Sequence, residues 1–384
     1  MDFDFSWILL GLPIAFTLGW LASRADLRQL RIENRQAPKA YFRGLNFLLN
    51  EQQDQAIDAF IEAVQNDPDT SELHFALGNL FRRRGEYERA VRVHEHLLQR
   101  GDLPKPDRDR AQHALALDYL KAGLLDRAEA ALRQLEGTSF EEEARLALLS
   151  IYERSRDWQH ATDIASKLNS AGHASFTGRQ AHYLCEQASA LVATGDSAKA
   201  LSLLELASST AASSARPLID LAKLQLQDGQ PHAAFDTLTR LEKAAPQAIP
   251  LAAGLLATLG QNNDLYPQVM ALLKTHYQHQ PSVDVMDAIA RLEKDPDASR
   301  QGYIQHLKTE TSLVAAARWV AGEKLASPAE EHNHQLVQRA LDQATKPLMR
   351  YRCAACGFEA TQHFWHCPGC QAWDSYPARR IEEL

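Results

Sequence analysis

The strongest constraint on this 384-residue chain is a repeat with a period near thirty-four. Gly44 and Gly78, Phe47 and Phe81, and Ala56 and Ala90 each recur 34 positions apart. The stretch "APKAYFRGLNFLLNEQQDQAIDAFIEAVQNDP" (37–68) is followed by "SELHFALGNLFRRRGEYERAVRVHEHLLQ" (71–99), with apolar residues at helical spacing in both. A unit of this size is one pair of helices, too small to bury its own apolar face. Only stacking of successive pairs makes a core. Composition agrees: Gly (18) and Pro (16) make up under a tenth of the chain, while Ala and Leu abound. That mixture favours helix and offers few β-branched runs for a sheet.

The phase continues through insertions. Ala116, Tyr119, Gly123 and Ala128 mark a third unit, displaced by the loop "GDLPKP", and Leu149, Tyr152 and Ala161 a fourth. Ala188, Leu191, Gly195 and Ala200 mark a fifth; Ala222, Gly229, Ala234 and Pro246 a sixth. From 249 to about 345 the signal decays, yet "LAAGLLATLG", "VDVMDAIARL", "SLVAAARWVAGEKL" and "NHQLVQRALDQA" still read as helix pairs of the same size. At least six units are expected, and eight or nine fit the length.

Within a unit the order is a small residue, an aromatic, Ala, an aromatic, Ala and Pro. This resembles the tetratricopeptide repeat family, although Ala40 and His74 stand where that family carries Trp. The resemblance implies an all-α superhelical solenoid over 37–345, with a concave groove for an extended peptide or a partner helix. The small residues have a physical task, since Gly or Ala lets the two helices of a unit approach closely. At the groove-facing places of the second and third units stand Phe75, Asn79, Arg82, Arg83, His113 and Lys121. Asn and Arg there can hold a peptide backbone or a carboxylate; the same residues also read as a solvated polar face.

The amino-terminal "MDFDFSWILLGLPIAFTLGWLA" is apolar and uncharged from Phe5 to Ala22. Eighteen residues of helix span about 27 Å, close to the roughly 30 Å hydrocarbon core of a bilayer. A cleaved signal peptide wants positive charge ahead of the apolar run, and this chain has Asp2 and Asp4 there. Trp7 and Trp20 fall near the two ends, where the membrane interface favours indole, and Pro13 is tolerated in a membrane helix. Arg24, Arg28, Arg31 and Arg35 follow the span and no Lys or Arg precedes it. Residues 1–22 are therefore expected to be a retained single-pass anchor with the terminus outside, 23–36 a basic juxtamembrane segment, and the bulk of the chain cytoplasmic.

Near the other end, "RCAACGFEATQHFWHCPGC" holds Cys353, Cys356, Cys367 and Cys370 as two C-x-x-C knuckles ten residues apart. In 346–384 this spacing predicts a closed tetrahedral tetrathiolate site for one metal ion, iron or zinc. Gly357 and Gly369 are expected to supply the positive φ of the knuckle turns. His363 and His366 flank the second knuckle, but four thiolates already complete the shell. "YRCAACGF" and "HCPGCQAW" resemble a rubredoxin-type metal-binding domain or zinc ribbon. Rubredoxins place a much longer segment between their knuckles, so the shorter span here favours a structural ion over electron transfer. A closed shell also leaves no position for a hydrolytic water. Phe358, Phe364, Trp365 and Trp373 are expected to cap this small core and dock it on the helices, because a domain of under forty residues needs metal and docking to be stable. Cys185 reads as a buried apolar residue.

Nucleic acid is not an expected partner. The formal net charge is −8, and Arg350, Arg352, Arg379 and Arg380 are balanced by Glu359, Asp374, Glu382 and Glu383. The sequence contains no phosphate-binding loop, no G-x-S-x-G and no H-E-x-x-H, and His332 and His334 are two residues apart, on different helix faces. No enzymatic activity is expected.

Anchor, repeat array and cysteine knuckles, in that order, resemble the lipopolysaccharide assembly protein B family over the whole chain, most specifically in "FWHCPGCQAW". The resemblance implies an adaptor on the cytoplasmic face of the inner membrane. Its implied partners are the membrane AAA+ protease FtsH, the lipid A pathway deacetylase whose degradation it promotes, and other lipopolysaccharide assembly and inner-membrane proteins. The family's metal-binding cysteines fall on Cys353, Cys356, Cys367 and Cys370.

Overall fold

Helix pairs form because a left-handed residue recurs between two apolar stripes. Helix Ser71–Arg84 stops at Gly85, whose φ is 84°. The Gly85 amide then donates to Arg82 O (3.1 Å) and the Glu86 amide to Phe81 O (2.9 Å), satisfying two end carbonyls. Gly123 ends helix Lys105–Ala122 in the same way, at φ 76°.

A computed structural model describes residues 16–20, 39–66, 70–170, 176–323 and 328–384. The chain divides into two compact units, Met1–Ser155 and Arg156–Leu384. Apart from the helical residues 16–20, the expected anchor at 1–22 and basic segment at 23–36 lie outside the described residues. Among the described residues, no helix is long and apolar enough to cross a membrane.

In the first unit, helical residues 39–49 precede Gln53–Asn66, Ser71–Arg84, Tyr87–Gln99, Lys105–Ala122, Leu125–Arg133 and Glu141–Ser155. One core joins Ala56, Phe60, Ala63, Leu73, Leu77, Phe81 and Ala90 across successive pairs, and a second joins Phe75, Leu97, Leu103 and Ala111. Close approach within a pair is enforced at Gly78. A Cβ there would sit 2.5 Å from the His94 ring, which occupies the place that Phe60 holds in the unit before.

The second unit begins with Trp158–Ser170 and continues with five helix pairs, ending at Leu313–Ala321 and Pro328–Thr345. Its largest core runs from Leu218 through Leu238, Ile249, Leu256, Val269 and Leu273 to Val285 and Ala315. The alanines that mark the repeat, Ala56, Ala90, Ala128, Ala200 and Ala234, are all 0% exposed across both units. After the last helix, strands Tyr351–Arg352 and Glu359–Ala360 pair antiparallel, with Tyr351 opposite Ala360. These two-residue strands and a bridge between His366 and Trp373 are the only β pairing among the described residues. The architecture is an all-α repeat solenoid with a small metal ribbon at its end.

Candidate metal centre and partner surface

The two knuckles are built alike. Gly357 N donates to Cys353 O at 2.9 Å, and Gln371 N donates to Cys367 O at 2.9 Å. Each turn then needs a left-handed residue just after its second cysteine. Gly357 fills that place in the first knuckle at φ 79°, and Gln371 fills it in the second at φ 60°. Gly369, expected from the sequence to take a positive φ, does not. The reason is register: the strained place follows the second cysteine instead of preceding it.

This geometry brings the four sulfurs together. All Sγ atoms lie within 4.8 Å of one another. Cys353 Sγ and Cys370 Sγ are 3.8 Å apart, as are Cys356 Sγ and Cys367 Sγ. A disulfide needs about 2.05 Å, so these pairs are not bonded. A tetrahedral ion with bonds of about 2.3 Å has ligand-to-ligand edges of about 3.8 Å, which is the spacing found. Burial opposes ionisation of Cys353, yet the Ser375 hydroxyl and the amides of Cys356 and Ala355 outweigh it and bring the thiol down to about 6. Cys356 shifts the other way: the Phe358 amide lowers it, but burial and its three neighbouring thiols outweigh that amide and push the thiol up to about 12. A cation is needed for all four sulfurs to ionise together. The residues present therefore fit one ion held by Cys353, Cys356, Cys367 and Cys370, and that ion would supply a cross-link between the two knuckles.

The flanking histidines have other tasks. His363 Nε2 donates to Tyr376 O (3.1 Å) and His366 Nε2 to Gln371 O (3.0 Å), while the His366 ring stacks on Trp373 at 4.3 Å. Cys353 and Cys367 are buried with Tyr351 and Tyr376, and Leu251 of the array packs against them.

Docking of the ribbon on its own unit is extensive. Trp373 stacks on His182 (4.9 Å) and meets Tyr183 and Trp158 edge-on. Trp365 packs against the large helical core. Phe364 covers the ribbon's own Tyr376, whereas Phe358 is 44% exposed. Polar contacts that the sequence did not reveal complete the attachment. Asp374 Oδ2 lies 2.8 Å from Nε2 of the fully buried His182. Arg380 grips Asp284 with two hydrogen bonds of 2.9 Å. Glu383 accepts from Val283 N (2.6 Å), and Glu382 accepts from Leu313 N (2.5 Å), Val314 N (3.0 Å) and Ser312 Oγ (2.7 Å). Both carboxylates thus cap the starts of array helices, where unpaired amides and the helix dipole favour an anion.

The six residues expected at the groove are placed unequally. Phe75 is 1% exposed within its core cluster, with the Arg110 guanidinium 4.1 Å over its ring. Arg82 is drawn inward: Nη1 donates to Asp118 Oδ1 (2.8 Å) and Ala114 O (3.0 Å), and Nη2 to Asn79 Oδ1 (2.5 Å). Asp118, 0% exposed, also accepts from His94 Nδ1 at 2.5 Å, so an internal Arg–Asp–His network ties three helices together. His113 stacks on Phe140 at 4.9 Å, and burial pushes its pKa down. Arg83 and Lys121 are exposed. Asp118 carries no repeat signal in the sequence, since its role depends on which helix packs beside it.

Comparison with known proteins bears on both parts. A family described as a rubredoxin metal binding domain matches residues 351–376, and a tetratricopeptide repeat family matches 73–109. Lipopolysaccharide assembly protein B of Escherichia coli (strain K12) is 30% identical over 404 aligned residues, covering 98% of this chain and 99% of that protein. The protein of the same name from Haemophilus influenzae is 28% identical over 403, covering 96% of each. A solved tetratricopeptide repeat protein from Parabacteroides merdae aligns over 67% of this chain and 98% of its own, at 12% identity and a TM-score of 0.33, too loose to carry weight.

Proposed function

The chain belongs to the lipopolysaccharide assembly protein B family, and on that premise we propose that it is a non-catalytic adaptor regulating lipopolysaccharide synthesis at the inner membrane. The observation that carries the reading is the match over nearly the whole of both chains, with the repeat array and the metal ribbon in the same protein. A helical repeat stack is an interaction scaffold, and a closed tetrathiolate serves as a cross-link.

In this reading, residues 1–22 anchor the chain and the array faces the cytoplasm. The array collects the lipid A pathway deacetylase and brings it to the membrane AAA+ protease FtsH, with other inner-membrane assembly proteins adjusting the encounter. Groove-side residues such as Asn79, Arg83, His113 and Lys121 are proposed to contact these partners. The physical gain is concentration: an anchored groove beside an anchored protease makes their meeting effectively intramolecular. The test is the half-life of the deacetylase in the host bacterium after depletion of this protein. Depletion should lengthen it, and restoration with a chain lacking residues 1–22 should shorten it only weakly. An unchanged half-life on depletion would reject the proteolytic role and leave a membrane-tethered assembly scaffold.

A further inference from the structure

Residues 372–375 touch both knuckles and the helical array. Cys367 N donates to Ala372 O (2.9 Å), and Ala354 N, inside the first knuckle, donates to Ser375 O (2.7 Å). Trp373 stacks on two histidine rings, His366 beside the second knuckle at 4.3 Å and His182 of helix Thr177–Thr194 at 4.9 Å. His182 Nε2 donates to Asp374 Oδ2 at 2.8 Å. Ser375 Oγ stands 3.2 Å from Cys353 Sγ and 3.3 Å from Ala372 O. A ligating sulfur carries no proton, so with an ion bound the Ser375 hydroxyl is the donor to Cys353 Sγ.

Asp374 lies in the left-handed region, at φ 51°. That conformation is costly for a residue with a Cβ and persists only where its neighbours impose it. Two contacts impose it here. Asp374 N donates to Trp365 O (2.9 Å), and the Asp374 carboxylate meets His182. The Asp374 side chain is 57% exposed and that of His182 is 0% exposed, so the histidine is the fixed member of the pair. Nδ1 of His182 has no partner among the described residues, which leaves the bond to Asp374 as the polar link of this ring. Loss of that link frees residue 374 to relax, and Ser375, next in the chain, moves off Cys353 with it.

We propose that His182, on the array, is a positioning residue for the metal centre: through Asp374 it keeps the Ser375 hydroxyl on Cys353 Sγ and so raises the affinity of the four sulfurs for their ion. Partners that hold the ligands of a metal commonly change its affinity by about ten- to hundredfold. The coupling is reciprocal, so the factor by which the array favours the ion is also the factor by which the ion favours docking. Cobalt(II) is the probe. The purified full-length chain, stripped of metal, is titrated with cobalt(II) against a competing chelator. Sulfur-to-cobalt charge-transfer absorption reports the affinity, and the position of the band reports hydrogen bonding to sulfur.

His182→Phe keeps a ring under Trp373 and removes the donor. It should weaken cobalt binding by about ten- to hundredfold and shift the band, and Ser375→Ala should do the same. Asp374→Ala breaks the link from an exposed side chain, leaves the packing of the array alone, and should match both. Ser375→Thr and Asp374→Asn keep the hydroxyl and the acceptor, and should retain the affinity and band of the parent. Because these residues act in series, combining His182→Phe with Ser375→Ala should lose no more than the larger single loss. Parent-like affinity in both His182→Phe and Asp374→Ala would overturn the assignment. So would weaker binding without a band shift, the mark of a merely structural contact, or fully additive losses in the double variant.

Discussion

Gly78 carries one of the tightest contacts in the repeat. Added to it, a Cβ would lie 2.5 Å from Cε1 and Nε2 of His94, and that ring is held in place by Asp118. Gly44 faces Phe60 in the same way at 2.9 Å. Gly78→Ala should therefore destabilise the first unit by about 1–3 kcal/mol, the range for overpacking a core. Urea unfolding followed by hydrogen exchange within Ser71–Arg84 measures it; an unchanged midpoint would mean the ring retreats freely. The need for a small residue here was legible from the spacing of Gly44 and Gly78 alone. The internal tethering of Arg82 was not. Its place in the repeat points to the groove, but a buried carboxylate from a neighbouring helix, Asp118, outcompetes solvent for the guanidinium.

At the level of elements, short helices depend on what caps them. Leu313–Ala321 has nine residues, and the Glu382 carboxylate accepts from its first two amides. Isolated helices of this length are marginal in water, so the cap and the packing of Val314 and Ala315 sustain it. Glu382→Ala should cost about 0.5–2 kcal/mol, the range for loss of an N-terminal cap. The readout is faster amide exchange at Leu313 and Val314 with exchange in Ser71–Arg84 unchanged; equal exchange in the variant would show that Ser312 suffices as cap. Helix positions and lengths follow from local periodicity and turn glycines, which is why they could be read from the chain. The partner of Glu382 lies about seventy residues away, and nothing in "RRIEEL" distinguishes a helix cap from a solvated tail.

For the second unit as a whole, the ribbon is a clasp. It touches Trp158, His182, Leu251, Asp284 and Leu313, which are spread over most of that unit's sequence. Cross-linking the knuckles with a metal thus restrains helices that are far apart along the chain. Cys353→Ser, or metal removal by a chelator, should lower the melting temperature of the Arg156–Leu384 unit. A loss of about 2 kcal/mol moves it by roughly 4–8 °C at this size. Exchange should also quicken in Thr177–Thr194 and Val283–Leu292. If only the ribbon's own amides respond, the clasp is mechanically separate from the helices.

The sequence by itself determined the helical repeat, the buried alanines and the four sulfur ligands, because each depends on residues near one another in the chain. Periodicity, turn chemistry and knuckle spacing are local properties. Tertiary structure alone decided which cations stay free, which end carbonyls and amides are capped, and where the ribbon sits. Those outcomes depend on burial and on partners tens to hundreds of residues away. His182 illustrates the difference: one repeat residue among many in sequence, it is fully buried beneath Trp373 and paired with Asp374 192 positions later.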